Sequence, residues 1–323
     1  MKRAGVLFLA GLPVVATAVY FVLPSTAADA PAVPTSVGAQ SSRDDAKERA
    51  EQDHEQQRDE DDETVASLPP GLAAPAKREL AHRLVASAEH STTDWRSTYG
   101  IIEDRDDDCG YTAGIIGFCT GTHDLLTLVE HYTEKNPGNG LARYLPALRK
   151  VDGTDSHEGL DPGFTEAWKA EAEVPEFRAA QEEERDSVYF DPAVRLAKLD
   201  GLGTLGQFVY YDAMVFHGTG TDENGFYALR ERVLEKAKTP AAGGAETDYL
   251  DAFLDARREA MLTRYPDRDT SRVDTAQRRF LQAGNLDLDT PLTWEMYGPG
   301  RRVRRRSRPR RRSRTPRSRS TGD

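Results

Sequence analysis

Apolar positions are distributed unevenly along the 323 residues: nearly continuous from Ala4 to Leu23, almost absent from 31 to 70, and back in helical spacing from Leu72 to about residue 298. In "AAPAKRELAHRLVASAE", Leu80, Leu84, Val85 and Ala88 fall at i, i+4, i+5 and i+8, the stripe of a helix that buries one face. "IIGFCTGTHDLLTLVEHYTEK" resumes the pattern until "NPGNG" stops it. "LARYLPALRKV", "FTEAWKAEA", "PEFRAAQEEERDSVYF" and "PAVRLAKLDGLGTLGQFVYYDAMVFH" also read as helix, as do "GFYALRERVLEKAK", "ETDYLDAFLDARREAMLTRY" and "RVDTAQRRFLQAG". Period-two alternation is confined to residues 98–118. The body is therefore expected to be mainly α (α+β), with one small β region and no internal repeat.

The flanks behave differently. Lys2 and Arg3 ahead of the apolar run, and the small residues of "STAADA" after it, read as an export signal over residues 1–30, cleaved after Ala30. An uncleaved anchor is the alternative, because the run approaches the ~20 residues that span a bilayer; either way the body lies outside the cytoplasm. Residues 31–70 pass from a Pro- and Ser-rich start into "SSRDDAKERAEQDHEQQRDEDDET", with too few apolar residues to offset the entropy of folding. They read as a disordered acidic linker, at most a transient charged helix. Residues 299–323, "PGRRVRRRSRPRRRSRTPRSRSTGD", lack the apolar content to pack and read as a disordered Arg-rich tail, or as a shifted reading frame. The body, 71–298, lies between.

Charge sharpens this division. The formal net charge of −11 conceals four basic and eleven acidic residues in 31–70, and twelve arginines with one aspartate in the tail. The body carries 25 basic and 41 acidic residues, net −16. Such a body favours a cationic partner and disfavours nucleic acid or an anionic membrane. The tail by itself could bind an anionic polymer through counterion release, or fold back on the body.

Two carboxyl sites carry candidate chemistry. Glu89 ends the first body helix, where the macrodipole's negative end and apolar Val85 and Ala88 predict a raised pKa and a proton held near neutral pH, as a general acid requires. Eighteen residues on, "IIEDRDDDCGYTAG" places Glu103, Asp104, Asp106, Asp107 and Asp108 in six positions, a wet loop where a carboxylate stays ionised. One protonated and one ionised carboxyl facing each other is the arrangement that hydrolyses glycosidic bonds. Taken alone this pairing is weak evidence, because a glutamate at a helix end is usually a solvated surface residue. Calcium does not fit the loop: counted from Asp104, an EF-hand frame has Cys109 where glycine is needed and no glutamate at position twelve. No HExxH spacing occurs, and "GTGTDENG" after His217 lacks the GK[ST] of a phosphate cradle. Trp95, Trp168 and Trp294 read as core aromatics rather than sugar platforms. Cys109 and Cys119, ten residues apart across a hairpin, could form a disulfide in an exported protein, or Cys119 could simply be buried within "IIGFC".

Several long stretches resemble the family 46 chitosanases among glycoside hydrolases: "LVASAEHSTTDW", "IIEDRDDDCGYTAGIIGFCTGTHD", "YLPALRKVDGTDSHEGL", "VYFDPAV", "LGQFVYYDAMVFHG", "LDARREAML", "TSRVDTAQRRFLQAGNLDL" and "PLTWEMYG". The likeness runs in order over nearly the whole body. It implies a lysozyme-like, two-lobed helical fold with a central cleft, and internal cleavage of β-1,4-linked glucosamine chains with inversion at the anomeric carbon. By motif position Glu89 matches the general acid, and Asp107, five residues before the Thr of "GYT", the general base. Thr112 matches the threonine that helps hold the attacking water, and Asp124 of "GTHD" an aspartate that binds a glucosamine amine. Asp191 of "YFDPAV" matches a buried aspartate in a charge network supporting the acid, with Arg257 of "LDAR" as its basic partner. The likeness calls for no metal and no organic cofactor; chitosan is the expected partner, nucleic acid is not, no membrane span remains after processing, and a monomer is expected.

The departures fall in the acidic loop. The family's base is often flanked by glycines and followed two residues later by an arginine; here Asp106 and Asp108 flank Asp107 and Cys109 replaces the arginine. Like-charge repulsion would raise the proton affinity of Asp107. Two further functions therefore stand beside the chitosanase: a lysozyme-like chitinase or muramidase, and a non-catalytic acidic protein that binds polycations.

Overall fold

Helix α1, Pro75–His90, begins with proline at its first position, where no intrahelical N–H is needed. It buries Leu80, Ala81, Leu84, Val85, Ala86 and Ala88, the expected stripe. Ser91 ends it in the left-handed region (φ 55°), its N–H donating to Ala86 O. This stop leaves Glu89 in the last turn. The computed structural model to which α1 belongs describes residues 55–296, apart from residue 221, and the strand Val303–Arg306. The expected export signal, the linker up to residue 54 and the rest of the tail lie outside the described residues.

Beyond α1 comes the expected β region, an antiparallel sheet of β1 (Ile102–Asp104), β2 (Tyr111–Ala113) and β3 (Phe118–Cys119), in that order. Its register sets Glu103 opposite Thr112, and Thr112 opposite Cys119. The loop between β1 and β2 contains Asp107. Helices α2 (Asp124–Lys135), α3 (Leu145–Val151), α4 (Phe164–Glu171) and α5 (Pro175–Glu184) follow, and a π-helical turn, Arg185–Phe190, leads into α6 (Asp191–Leu199).

The long apolar stretch after Pro192 divides at Gly201 (φ 76°), so that α6 and α7 (Thr204–His217) are separate helices. Every residue of α7 from Thr204 to Met214 is buried, which marks the central helix of the body. Asp212 lies inside this run, so its carboxylate must find partners in the interior. Helices α8 (Phe226–Leu234) and α9 (Glu246–Arg264) pack around α7, and a second π-helical turn, Arg272–Gln277, leads into α10 (Arg278–Gln282). The three tryptophans are core residues, and buried Trp168 and Trp294 donate their indole N–H to Tyr99 O and Ser87 Oγ, each at 2.9 Å.

Two segments expected to be disordered have structure. Residues 55–67 are helical. Their acidic side chains, which predicted solvation, meet α6: Arg195 pairs with Asp62 at 2.9 Å and Asp61 at 3.6 Å. In the tail, β5 (Val303–Arg306) pairs antiparallel with β4 (Thr293–Met296), whose Trp294 and Met296 are buried. A ladder is made by main-chain groups, so a strand can form in a segment of low apolar content. No helix among the described residues is long and apolar enough to cross a membrane.

Candidate active site

A cleft of about 600 Å³ opens between the β region and the far ends of α7 and α9. The end of α1, the β1–β2 loop, β2 and the start of α2 form one side, and Phe216, the loop after His217, Met261, Tyr265 and Arg268 the other. Glu89, Asp107, Thr112 and Asp124 all line it.

Glu89 is 12% exposed and carries a guanidinium on each oxygen. Arg272 Nη2 donates to Oε1 at 2.6 Å, and Arg105 Nη1 lies 3.4 Å from Oε2 while its Nη2 donates to Glu89 O at 3.1 Å. Burial pushes the carboxyl pKa up, as its helix-end position predicts, but the charges of Arg272 and Arg105 outweigh burial and hold it below the usual carboxylate value. The expectation of a protonated Glu89 is therefore corrected for the free protein. Both arginines come from elsewhere in the chain, and neither belongs to the α1 stripe.

The base loop has an unusual backbone. Asp106 (φ 52°) and Asp108 (φ 61°) sit in the left-handed region, where a Cβ is strained and aspartate is among the better-tolerated side chains. This is the physical reason why glycine suits both flanks of such a base. Asp107 stands between them, its Oδ1 buried without a hydrogen-bond partner among the described residues and its Oδ2 3.7 Å from Arg268 Nη1. Tyr265 donates its hydroxyl to Asp107 O at 2.6 Å, so residues from beyond α9 hold the loop from across the cleft. Cys109 forms a disulfide with Cys119 of β3, Cα to Cα 5.9 Å, and Gly121 N donates to Cys109 O at 2.9 Å. The open question of the two cysteines is thereby answered.

Thr112 is 5% exposed in the middle of β2. A Cβ on Gly117 would stand 3.1 Å from Thr112 Cγ2 and 3.4 Å from Glu89 Oε2, so this glycine lets the Glu89 and Thr112 side chains lie close together. Asp124 begins α2 and accepts from Cys119 N, Thr122 Oγ1 and Tyr189 Oη, each at 2.8 Å. Burial raises its pKa, with these donors opposing the shift.

The charge network behind Glu89 is not the expected one. Asp191 is 61% exposed and pairs with Arg78 at 3.1 Å, at the start of α6. The buried aspartate is Asp212, 2% exposed. Arg272 Nε donates to its Oδ1 at 3.1 Å, and Oδ2 accepts from Arg257 at 3.1 Å and Gln277 Nε2 at 2.6 Å. Arg257 is a member, as expected. It has no exposed surface, and burial pushes its pKa down to about 10 against the attraction of Asp212. The chain of contacts thus runs Glu89, Arg272, Asp212, Arg257. Asp191 follows the π-helical turn on the solvent side of α6, whereas Asp212 is enclosed by α7, α9 and the turn at Arg272.

Residues 83–292 match the model of glycosyl hydrolase family 46. A chitosanase of Streptomyces sp. (strain N174) is 57% identical over 73% of this chain and 84% of its own length, and one from Nocardioides sp. (strain N106) is 54% identical over 71% and 82%. A chitosanase solved in a co-crystal with substrate superposes with a TM-score of 0.71, at 51% identity, over 74% of this chain and 99% of its own. The chain belongs to glycosyl hydrolase family 46. The lysozyme-like, mainly helical fold expected from the sequence is the fold of this hydrolase.

Sequence reading of the hydrolase missed Asp212, Arg272, Arg105, Tyr265 and Arg268. A signal existed for Asp212 alone, a single charge within the apolar "FVYYDAMVF". The arginines look like ordinary surface cations in one dimension. The disulfide, two residues from Asp107, ties the base loop to β3. Breaking it by reduction or by Cys109→Ser is expected to cost about 2–4 kcal/mol, read as a fall of several degrees in Tm with reductant. An unchanged Tm would show that the other loop contacts suffice.

Proposed function

We propose that this family 46 hydrolase cuts β-1,4 linkages between glucosamine units within chitosan chains, with inversion, outside the cytoplasm and as a monomer without cofactor. The observation that carries the reading is one cleft lined by Glu89, Asp107, Thr112 and Asp124, in a chain whose relatives are chitosanases. Glu89 gives its proton to the glycosidic oxygen as the bond from that oxygen to the anomeric carbon breaks. Asp107 takes a proton from a water whose oxygen bonds to the anomeric carbon from the opposite face. The cycle ends with Glu89 ionised and Asp107 protonated, and solvent restores both. An inverting course needs room for that water, roughly 6.5–9.5 Å between the two carboxyls.

Thr112 orients the water through its hydroxyl, and Asp124 binds an ammonium group of the substrate. Arg257 and Asp212 position Arg272, which holds Glu89. The acidic body draws in a polycation from a distance, an effect that salt screens. Lys2, Arg3, the apolar run and "STAADA" support export.

The test is incubation of the protein with chitosan and with chitin, scored by new reducing ends and by product anomers in proton NMR. Release from chitosan with the α-anomer appearing first is expected. An initial β-anomer would contradict inversion, and release from chitin alone would assign the cleft to N-acetylated chains. The pairing of Glu89 with two arginines favours one other outcome, salt-sensitive chitosan binding without hydrolysis, which the same assay detects as binding with no new reducing ends.

A further inference from the structure

Of the two arginines on Glu89, only one is anchored elsewhere by the interior. Arg272 is 8% exposed, bonded to Asp212 and stacked 4.9 Å over the Phe216 ring. Arg105 is 24% exposed and belongs to the base loop itself, two residues before Asp107. Its other partner is Glu103, 54% exposed, which accepts from Arg105 Nε at 2.9 Å. The oxygen that Arg105 covers, Oε2, is the one beside Gly117 and Thr112 in the cleft. An oxygen covered in this way cannot reach a glycosidic oxygen, and a guanidinium there repels an incoming polycation.

We propose that Arg105 is a gate on the acid: it covers Oε2 of Glu89 in the free protein and, keeping its pairing with Glu103, swings off that oxygen when the substrate chain enters. Arg272 remains on Oε1 and keeps the carboxyl in place. This rests on the reading of Glu89 as the general acid. Departure of Arg105 removes one of the two charges that stabilise the carboxylate, so Glu89 gains a proton from solvent in the complex, where it is needed. Arg105 is thus a positioning residue that acts through Glu89.

The other charged groups around Glu89 are accounted for. His90 adjoins it on α1, and burial lowers its pKa. Arg268 and Asp269 line the recess beside it, Asp212 stands behind Arg272, and Asp107 lies across the cleft. His217, at the end of α7, is held well below its ordinary pKa by burial and by Arg257 and Arg272. Arg105 contacts the carboxyl and at the same time holds an exposed partner, Glu103, through its Nε.

The experiment is a pH profile of kcat and of kcat/KM on chitosan oligomers for the full chain, Arg105→Ala and Arg105→Lys. The kcat/KM profile reports the free enzyme and the kcat profile the complex. Loss of an arginine beside a carboxyl raises its pKa by about 1 unit or more. The alkaline limb of kcat/KM is therefore expected to move up by that amount in Arg105→Ala, while the alkaline limb of kcat stays at its wild-type position. Arg105→Lys, which keeps the charge, is expected to restore the kcat/KM limb. Equal shifts in both limbs would mean that Arg105 stays on Glu89 in the complex, and no shift in either would mean that it does not govern the acid; each overturns the gate. So does a shift in Arg105→Lys as large as in Arg105→Ala, which would trace the effect to loop packing. A wild-type protein that releases nothing from chitosan overturns the chitosanase reading together with the gate, whereas an active wild type with unmoved limbs overturns the gate alone.

Discussion

Glu89→Gln is expected to lower kcat on chitosan by about 10²–10⁴-fold, the contribution of a positioned general acid. The amide cannot give a proton to the leaving oxygen, and no other side chain at the end of α1 can replace it: His90 is half-buried and held below its ordinary pKa by desolvation. The substitution keeps the volume of the side chain, and its carbonyl oxygen can still accept from Arg272. Folding should survive, which circular dichroism checks, so lost rate can be separated from lost structure. Activity within tenfold of wild type would remove Glu89 from the reaction.

Asp212→Ala is expected to cost about 3–5 kcal/mol of stability, the consequence of leaving buried charge without its partner. Arg257 has no exposed surface and Arg272 almost none, and both point at the Asp212 carboxylate. For a body of this size each kcal/mol is worth roughly 2–4 °C in Tm, so the fall should exceed about 6 °C. Activity should fall as well, because Arg272 loses the anchor that aims it at Glu89. Asp191→Ala is the contrasting case. Its carboxylate is largely in water and meets only the partly exposed Arg78, so the change should stay within about 1 kcal/mol. Equal losses in the two variants would overturn the assignment of the network to Asp212.

The particular residues show what could be read in advance. The α1 stripe, the position of Glu89 in the last helical turn and the β region around Thr112 follow from local spacing, and the structure places them accordingly. The strand Thr293–Met296 escaped notice because four residues carry little pattern and its partner lies in a tail whose arginines leave Val303 as its one large apolar residue. The helix at 55–67 escaped because its acidic residues look solvated until Arg195 is found opposite them. Left-handed φ values at Asp106 and Asp108 show why glycine suits these flanks and why aspartate, among the better-tolerated side chains there, can stand in its place.

By itself the sequence determined the helical body, the lysozyme-like family and the candidates Glu89, Asp107, Thr112 and Asp124, because short-range periodicity and long motifs are properties of neighbouring positions. Tertiary structure alone decided the charge state of Glu89 and which aspartate stands behind its arginine. Those depend on Arg105, Arg272, Asp212 and Arg257, spread over more than 150 residues of chain and brought within about 3 Å of one another's partners by folding. Electrostatic interaction falls with distance in space and takes no account of distance along the chain, so a helix-end glutamate that reads as protonated in one dimension is an ion pair in three.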